Sequence, residues 1–188
     1  MIEIGSEALA AVINPLGAEL WSLRDAGGRA LMTDADPAFW AGRAPLLFPI
    51  VGRLMDDRYR LDGKEYALPQ HGFARRQNFA LIDQAPDRAV LRLIDNAETR
   101  AAYPFAFALD AAFSLKGATL AMDVTVTNTG DVDMPASFGF HPAFAWPLPY
   151  GAAKAAHRIT FADEERGQLA AIVKGGWMDA GGWESPVE

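Results

Sequence analysis

Turn-forming residue pairs recur along this sequence at intervals of about ten positions, a spacing typical of short antiparallel strands. Asp62-Gly63 stands between segments that alternate apolar and polar side chains, and this is the strongest short-range signal for a β-hairpin. Gly27-Gly28 and Lys116-Gly117 also lie between apolar segments. The spacing therefore favours a chain built from hairpins over one built from helices.

The segment after Lys116-Gly117 shows the period of two that a strand with one buried face requires. The apolar face consists of Leu120, Met122, Val124 and Val126. The opposite face consists of Ala121, Asp123, Thr125 and Thr127. Residues 88–96 alternate in the same way, and residues 107–115 are apolar and compatible with a strand.

Helical patterns in the sequence are short. Asp36-Pro37 suits the start of a single turn, because aspartate caps a helix and proline fits its first position. A second short helix is expected before Pro104. Many short strands and few helical residues predict an all-β fold, an antiparallel β-sandwich or barrel. Since no repeat or linker interrupts the pattern, we expect residues 1–188 to form a single domain.

Composition excludes several classes of protein. The formal net charge of −7 disfavours binding to nucleic acid, because the phosphate backbone is also negative. No apolar run approaches the roughly 20 residues that a membrane-spanning helix needs. The N-terminal residues do not resemble a secretory signal, and the absence of cysteine excludes disulfides and thiolate metal sites. A cytoplasmic location fits these features.

Two of the three histidines, His71 and His141, lie in short aromatic segments, "LPQHGFARRQNF" and "SFGFHPAFAWP". A histidine titrates near neutral pH and can therefore donate or accept a proton. Each could instead be hydrogen-bonded at a strand end without a chemical role. The pair forms a site only if the fold brings the two rings together. His157 is expected to be structural or on the surface.

Other side chains could accompany the histidines. Arg53 and Arg75 could donate to substrate oxygens, since a guanidinium offers five fixed donors, or could simply be solvated. Asp56 and Asp57 give only a weak signal for a cation, and no metal site is predicted. Four aromatic residues alternate around His141. They could form one buried strand face, or they could form a wall on which a sugar ring stacks. They are Phe138, Phe140, Phe144 and Trp146.

Three segments in order, "APLLFPIVGRL", "LPQHGFARRQNF" and "SFGFHPAFAWPL", resemble the aldose 1-epimerase (mutarotase) family, in its bacterial LacX-like branch. The resemblance covers nearly the whole chain. It implies a galactose mutarotase-like antiparallel β-sandwich, or supersandwich, of which this chain would be the N-terminal portion. It also implies interconversion of the α and β anomers of a hexose, with a small sugar as partner and no cofactor.

The resemblance also implies roles for individual residues. His141 matches the histidine that protonates the ring oxygen as a general acid. His71 matches a second histidine, which hydrogen-bonds the sugar near that oxygen. Arg53 matches an arginine that positions sugar oxygens, and Arg75 is a further candidate for substrate contact.

One departure from the family pattern concerns the general base. In the family, this glutamate belongs to a C-terminal strand, and no glutamate of this sequence matches its motif. Those examined are Glu164, Glu165, Glu184 and Glu188. We therefore expect a chain that lacks the C-terminal part of the fold and has little activity of its own. Trp177 and Trp183 would then either pack back on the sheet or lack their usual neighbours.

Two other functions remain open from the sequence. A non-catalytic carbohydrate-binding β-sandwich would need no base. A hexose-6-phosphate 1-epimerase would use Arg53, Arg75 and Arg76 to surround a phosphate group.

Overall fold

Two antiparallel sheets form most of the computed structural model, which describes residues 1–163, 169–173 and 177–183. The first sheet has the order β1-β2-β3 and the second the order β10-β9-β8-β7. Their strands are β1 (Ile2–Gly5), β2 (Leu9–Asn14), β3 (Glu19–Asp25), β7 (Ala80–Ala85), β8 (Arg88–Ile94), β9 (Phe107–Lys116) and β10 (Thr119–Asn128). The expected all-β, antiparallel fold is confirmed.

Three further strand pairs complete the described structure. They join β4 (Leu46–Leu47) to β11 (Gly139–Phe140), β5 (Arg58–Leu61) to β6 (Lys64–Ala67), and β12 (Leu169–Val173) to β13 (Trp177–Trp183). The four glutamates considered above and the side chains of Trp177 and Trp183 lie outside the described part of the structure.

The hydrophobic core lies between the two larger sheets. In β9 every second side chain from Phe107 to Leu115 is buried, as the apolar period of two requires. These side chains share one cluster with residues of the first sheet such as Ile13 and Leu20. β1 lies against β8 and β9, and the amide of Gly5 donates to the carbonyl of Pro86 at 2.7 Å. This arrangement fixes the first sheet on the second.

The predicted hairpins are present. Asp62 and Gly63 both have positive φ, 49° and 78°, and connect β5 to β6. Two consecutive residues with positive φ form the tight turn that suits the twist of antiparallel strands. Gly117 similarly begins the two-residue connection between β9 and β10, whose ten residue pairs run without interruption.

The short helical segments also form where the sequence predicts them. Helix α1 (Ala97–Ala102) is capped by Asn96, whose side chain accepts from the amide of Thr99 at 3.0 Å. Asp36 begins a single turn that ends with the amide of Trp40 donating to the Asp36 carbonyl at 3.0 Å. Among the described helices, none is long and apolar enough to cross a membrane.

The structure of the aromatic segment around His141 contradicts one of the two predictions made for it. Phe140, Phe144 and Trp146 are exposed, and β11 has only two residues. The expectation of one buried strand face is therefore wrong. Pro142 and Pro147 lack the amide that a strand ladder needs, so the pairing stops.

Candidate functional site

The two histidine-bearing segments lie on opposite sides of one stretch of backbone, residues 46–49. On one side β4 pairs with β11, and the amide of Ser137 donates to the carbonyl of Pro49 at 2.9 Å. On the other side Phe48 forms a bridge with Gly72, and the amide of Phe73 donates to the Phe48 carbonyl at 3.0 Å. Residues 46–49 thus hold both segments, although their histidines are 70 positions apart in the sequence.

This arrangement brings the two imidazoles together. The ring centroids of His71 and His141 lie 6.4 Å apart, with 67° between the ring planes. The gap is too wide for a direct hydrogen bond between the rings, so both can address a third group. The sequence alone identifies the two histidines as candidates, and the structure shows that their rings lie close together.

The His71 loop, residues 69–73, is held by its backbone. His71 has a φ of 62°, in the left-handed region that a residue with a side chain rarely adopts. Its amide donates to the carbonyl of Gly52 at 2.8 Å, and the amide of Gly72 donates to that of Pro69 at 2.8 Å. Gly72 has a φ of 68°, and a Cβ there would lie 2.6 Å from Cδ of Pro49 and closer still to the Phe48 carbonyl. Only glycine fits this position.

A backbone amide selects the tautomer of His71. The amide of Gly52 donates to Nδ1 of His71 at 3.0 Å. Nδ1 must therefore carry the lone pair, and the proton of the neutral ring belongs on Nε2. The neutral ring can donate one hydrogen bond from Nε2 to a ligand.

The surroundings of His71 favour this neutral form. Burial lowers the pKa of His71, and the positive charges of Arg75 and His141 lower it further. Arg75 is itself held by a bond from its Nη2 to the carbonyl of Gln70 at 2.9 Å. At neutral pH His71 is consequently a hydrogen-bond donor of fixed orientation.

His141 is placed in a different way. Its side chain is exposed, and no hydrogen bond from the described residues fixes its ring. Instead the ring stacks on Trp40, with centroids 4.8 Å apart and planes 28° apart. A Cβ on Gly42 would lie 2.7 Å from Cε2 of Trp40, so the missing side chain leaves room for the indole.

Trp40 is the site residue that the sequence did not indicate. The Asp36 turn was predicted, and Trp40 ends that turn. What sequence reasoning missed is the long-range contact between this indole and His141. A large aromatic residue in a loop rich in aspartate, proline and glycine was the available signal, since aromatics normally bury much of their area.

An apolar trough of about 370 Å³ begins at His141 and runs between β3 and β10. Its walls include Leu20, Leu120, Met122, Phe140 and Phe144. His71 is not part of its lining, so the trough lies beside the histidine pair and not between the two rings. We keep the name apolar trough for this feature below.

Arg53 lies next to the His71 loop but has a partner of its own. It follows Gly52, which makes two hydrogen bonds with His71. Its Nε and Nη2 donate to the Asp57 carboxylate at 2.8 and 2.7 Å, and this ion pair is exposed. Nη1 is the guanidinium nitrogen that Asp57 does not use. His157 lies elsewhere, where its Nε2 accepts from the amide of Leu148 at 3.0 Å.

Comparison with known proteins places this chain in a family. Residues 1–175 match the family described as aldose 1-epimerase. Two LacX proteins of Lactococcus lactis subsp. lactis, one chromosomal and one plasmid-encoded, are each 32% identical over 170 residues, or 87% of this chain. The chain spans 57% of the length of these relatives.

Solved structures agree with the sequence relatives. A galactose mutarotase-related enzyme from Lactobacillus acidophilus superposes with a TM-score of 0.83 at 33% identity, covering 95% of this chain and 59% of that one. A galactose mutarotase-like protein from Lactobacillus casei gives 0.76 at 38% identity, covering 80% and 51%. With the family match extending over most of its length, this chain belongs to the aldose 1-epimerase family and has a galactose mutarotase-like β-fold.

Proposed function

We propose that this chain carries the histidine pair of an aldose 1-epimerase that interconverts the α and β anomers of a hexose. The observation that carries the proposal is the 6.4 Å separation of the His71 and His141 rings, in a chain of this family. Because the chain spans 57% of the length of its LacX relatives, the activity of the whole protein is part of the proposal.

The two histidines have different parts in the proposed reaction. Neutral His71 donates from Nε2 to the sugar near its ring oxygen, because its Nδ1 is occupied by the amide of Gly52. His141, exposed and without a fixed hydrogen-bond partner among the described residues, is free to exchange its proton with water and to protonate the ring oxygen. The Nη1 of Arg53 and the guanidinium of Arg75 are the proposed contacts for the sugar hydroxyls.

The chemical steps balance as proton transfers. A base removes the proton of the C1 hydroxyl while the bond between C1 and the ring oxygen breaks, and His141 protonates that oxygen. Rotation about C1–C2 presents the other face of the aldehyde. The same groups then act in reverse to close the ring. Family resemblance assigns the base to a glutamate that no motif of this sequence matches, so we expect little turnover from the 188-residue chain by itself.

Polarimetry tests the reaction, with freshly dissolved α-glucose, α-galactose and α-glucose 6-phosphate as separate substrates. In a longer form that includes the missing base, His141→Gln should lower turnover by roughly 10²- to 10⁴-fold, the range for a lost general acid. His157→Gln is the matched control and should leave turnover unchanged. An undiminished rate in His141→Gln rejects the assignment.

Ligand binding can be measured on the 188-residue chain directly. Titration with galactose or glucose should shift the NMR signals of the His71 and His141 rings and leave those of His157 in place. Binding with no acceleration in any longer form would instead identify a non-catalytic carbohydrate-binding protein. A response confined to glucose 6-phosphate would identify a sugar-phosphate epimerase.

A further inference from the structure

The loop formed by residues 33–43 carries Trp40, the ring that stacks on His141. Within the described structure none of the residues of this loop is buried, and Phe39, next to Trp40, is 90% exposed. Buried apolar area therefore does not hold the loop in shape here, and polar contacts must do so. We call this segment the Trp40 loop.

One side chain joins the two ends of the Trp40 loop. Arg43, its last residue, donates from Nη1 to the carbonyl of Thr33 at 2.8 Å and from Nη2 to that of Asp34 at 3.0 Å. A guanidinium can make both bonds at once because its donors form a planar fork. Its Cζ also lies 4.8 Å from the centre of the Trp21 ring on β3. This cation–π contact ties the closed loop to the first sheet.

The backbone of Arg43 is fixed as well. Its amide and that of Ala44 both donate to Oε1 of Glu19 at 2.9 Å. Glu19 begins β3, and Ala44 is buried, so the first sheet sets the position of Arg43. The arginine is therefore a fixed base from which the Trp40 loop extends.

The two ends of the Trp40 loop also hold the segment that carries His141. The amide of Ala143 donates to the carbonyl of Arg43 at 2.8 Å, and the amide of Thr33 donates to the carbonyl of Ala143 at 3.0 Å. Ala143 follows His141 by two positions. The residues that the Arg43 side chain links are thus among those that locate the backbone next to His141.

A continuous set of hydrogen bonds leads from the Arg43 side chain to Trp40. Asp34, whose carbonyl accepts from Arg43, also accepts through its Oδ1 from the amide of Asp36 at 3.2 Å. The carbonyl of Asp36 in turn accepts from the amide of Trp40 at 3.0 Å. Loss of the Arg43 bonds would therefore loosen the turn that ends at Trp40 and, with it, the contact with His141.

We propose that Arg43 is a positioning residue for His141: it fixes the Trp40 loop, and the indole of Trp40 then fixes the imidazole. Because the apolar trough begins at His141, the same contact also sets the mouth of that trough. The catalytic part of this inference rests on the proposed function, in which His141 protonates the ring oxygen. Displacement of a reacting group by about 1 Å can lower a rate by about 100-fold.

The Nε of Arg43 separates this role from a contribution to stability. Nε is buried and has no hydrogen-bond partner among the described residues. An unpaired buried donor destabilises a fold, so stability alone would not favour arginine here. Arg43→Met keeps a long side chain against Trp21 and removes the unpaired donor. We expect its urea midpoint to change little, because the loss of two hydrogen bonds in an exposed loop is offset by the removal of this donor.

NMR of the 188-residue chain tests the inference without any ligand. In Arg43→Met the Trp40 indole should leave the His141 ring. The ring signals of His141 should then move to higher frequency, because the stacked indole no longer shields them, while those of His71 stay in place. An unmoved His141 signal overturns the proposal.

Two further variants serve as controls. Arg24→Met is matched, since Arg24 also lies in a loop-proximal position and donates from Nη1 to a turn carbonyl, that of Gly28 at 2.8 Å, and it should leave the His141 signals unchanged. Arg43→Lys keeps the charge but replaces the planar fork with a single ammonium, so it should move the His141 signals part of the way. Should Arg43→Met not fold, the signals of Arg43→Lys decide between the two outcomes.

A double variant tests whether Arg43 acts through Trp40. Trp40→Ala removes the indole, so adding Arg43→Met to it should move the His141 signals no further. A further shift as large as that in Arg43→Met alone would overturn the route through Trp40.

Polarimetry on a longer form that includes the missing base separates this inference from the proposed function. Arg43→Met should lower kcat on the order of 10- to 100-fold and change KM by less than about twofold, because the displaced group acts in the transition state. Full turnover with a displaced His141 ring would overturn the positioning role and leave the proposed function intact. No turnover in the unmodified longer form would instead contradict the proposed function, and the NMR result would still decide whether Arg43 holds the His141 ring.

Discussion

The two histidine segments of this protein are held in contrasting ways. The His71 loop is fixed by backbone hydrogen bonds, by the left-handed conformation of His71 and by Gly72, which packs against Phe48 and Pro49. His141 follows a two-residue strand, and its exposed ring rests on Trp40. The orientation of the His71 ring is fixed by the backbone around it, while that of the His141 ring depends on a single side chain, Trp40.

The contrast separates two tasks that one residue type can perform. A donor that must keep one tautomer benefits from a bonded Nδ1 and a rigid loop, as at His71. A proton carrier must gain and lose its proton during each turnover, and an exposed ring such as His141 can exchange it with water. The structure of each segment therefore suits the role proposed for it.

The substitution with the largest expected effect disrupts the His71 loop. Gly72→Ala would add a Cβ against Phe48 and Pro49 at a φ of 68°, and we expect the free energy of unfolding to fall by at least about 3 kcal/mol. Urea denaturation followed by circular dichroism measures it. Gly63→Ala is the matched control, because its φ of 78° is similar but no atom lies within 4 Å of the added Cβ. We expect a loss of about 1 kcal/mol there. Equal losses would show that contact with residues 48 and 49 is unimportant.

A smaller effect follows from the pKa of His71. The folded state lowers that pKa, so near pH 6 the unfolded chain binds a proton that the folded chain does not. The contribution of His71 to the free energy of unfolding should be fully present above about pH 6.5 and should decline as the pH falls toward about 5. Urea midpoints measured across this range test the direction.

Arg75→Gln sharpens the same measurement. Removing this positive charge should raise the pKa of folded His71 and reduce the loss of stability on acidification. Arg76→Gln, in the same 3-10 helix, is the control and should keep the original slope. The reverse pattern would indicate that charge near His71 acts through a different residue.

The smallest expected effect concerns His141. Trp40→Ala removes the stacked ring, which should move the NMR signals of the His141 ring while changing stability by about 1 kcal/mol or less. Signals of His71 should stay nearly fixed. Trp146→Ala is the control, because Trp146 lies 5.1 Å from the ring of His157 and should affect only that residue. An unchanged His141 signal in Trp40→Ala would contradict the stacked arrangement.

Local features of the fold could be predicted from the sequence, and long-range ones could not. The Asp62-Gly63 hairpin and the alternation in β10 depend on neighbouring residues, and both are present. Around His141 the aromatic alternation predicts a buried strand face, but two prolines interrupt strand pairing there, so that prediction is wrong.

The site shows the same division. His71 and His141 could be named from their segments, but their proximity depends on residues 46–49 lying between them. No local pattern encodes that pairing, because it joins three distant parts of the chain. The stacking of Trp40 on His141 is equally non-local, since the turn was predictable and its neighbour was not.

The backbone of residues 46–49 has one further consequence, for how the site moves. Because both histidine segments are bonded to this stretch, thermal displacement of it carries the two along as one body. Bending of the surrounding sheets would shift the location of the histidine pair while preserving the span that separates its members. The sugar proposed as ligand would then meet the same spacing of the two imidazoles in every bent state of the sheets.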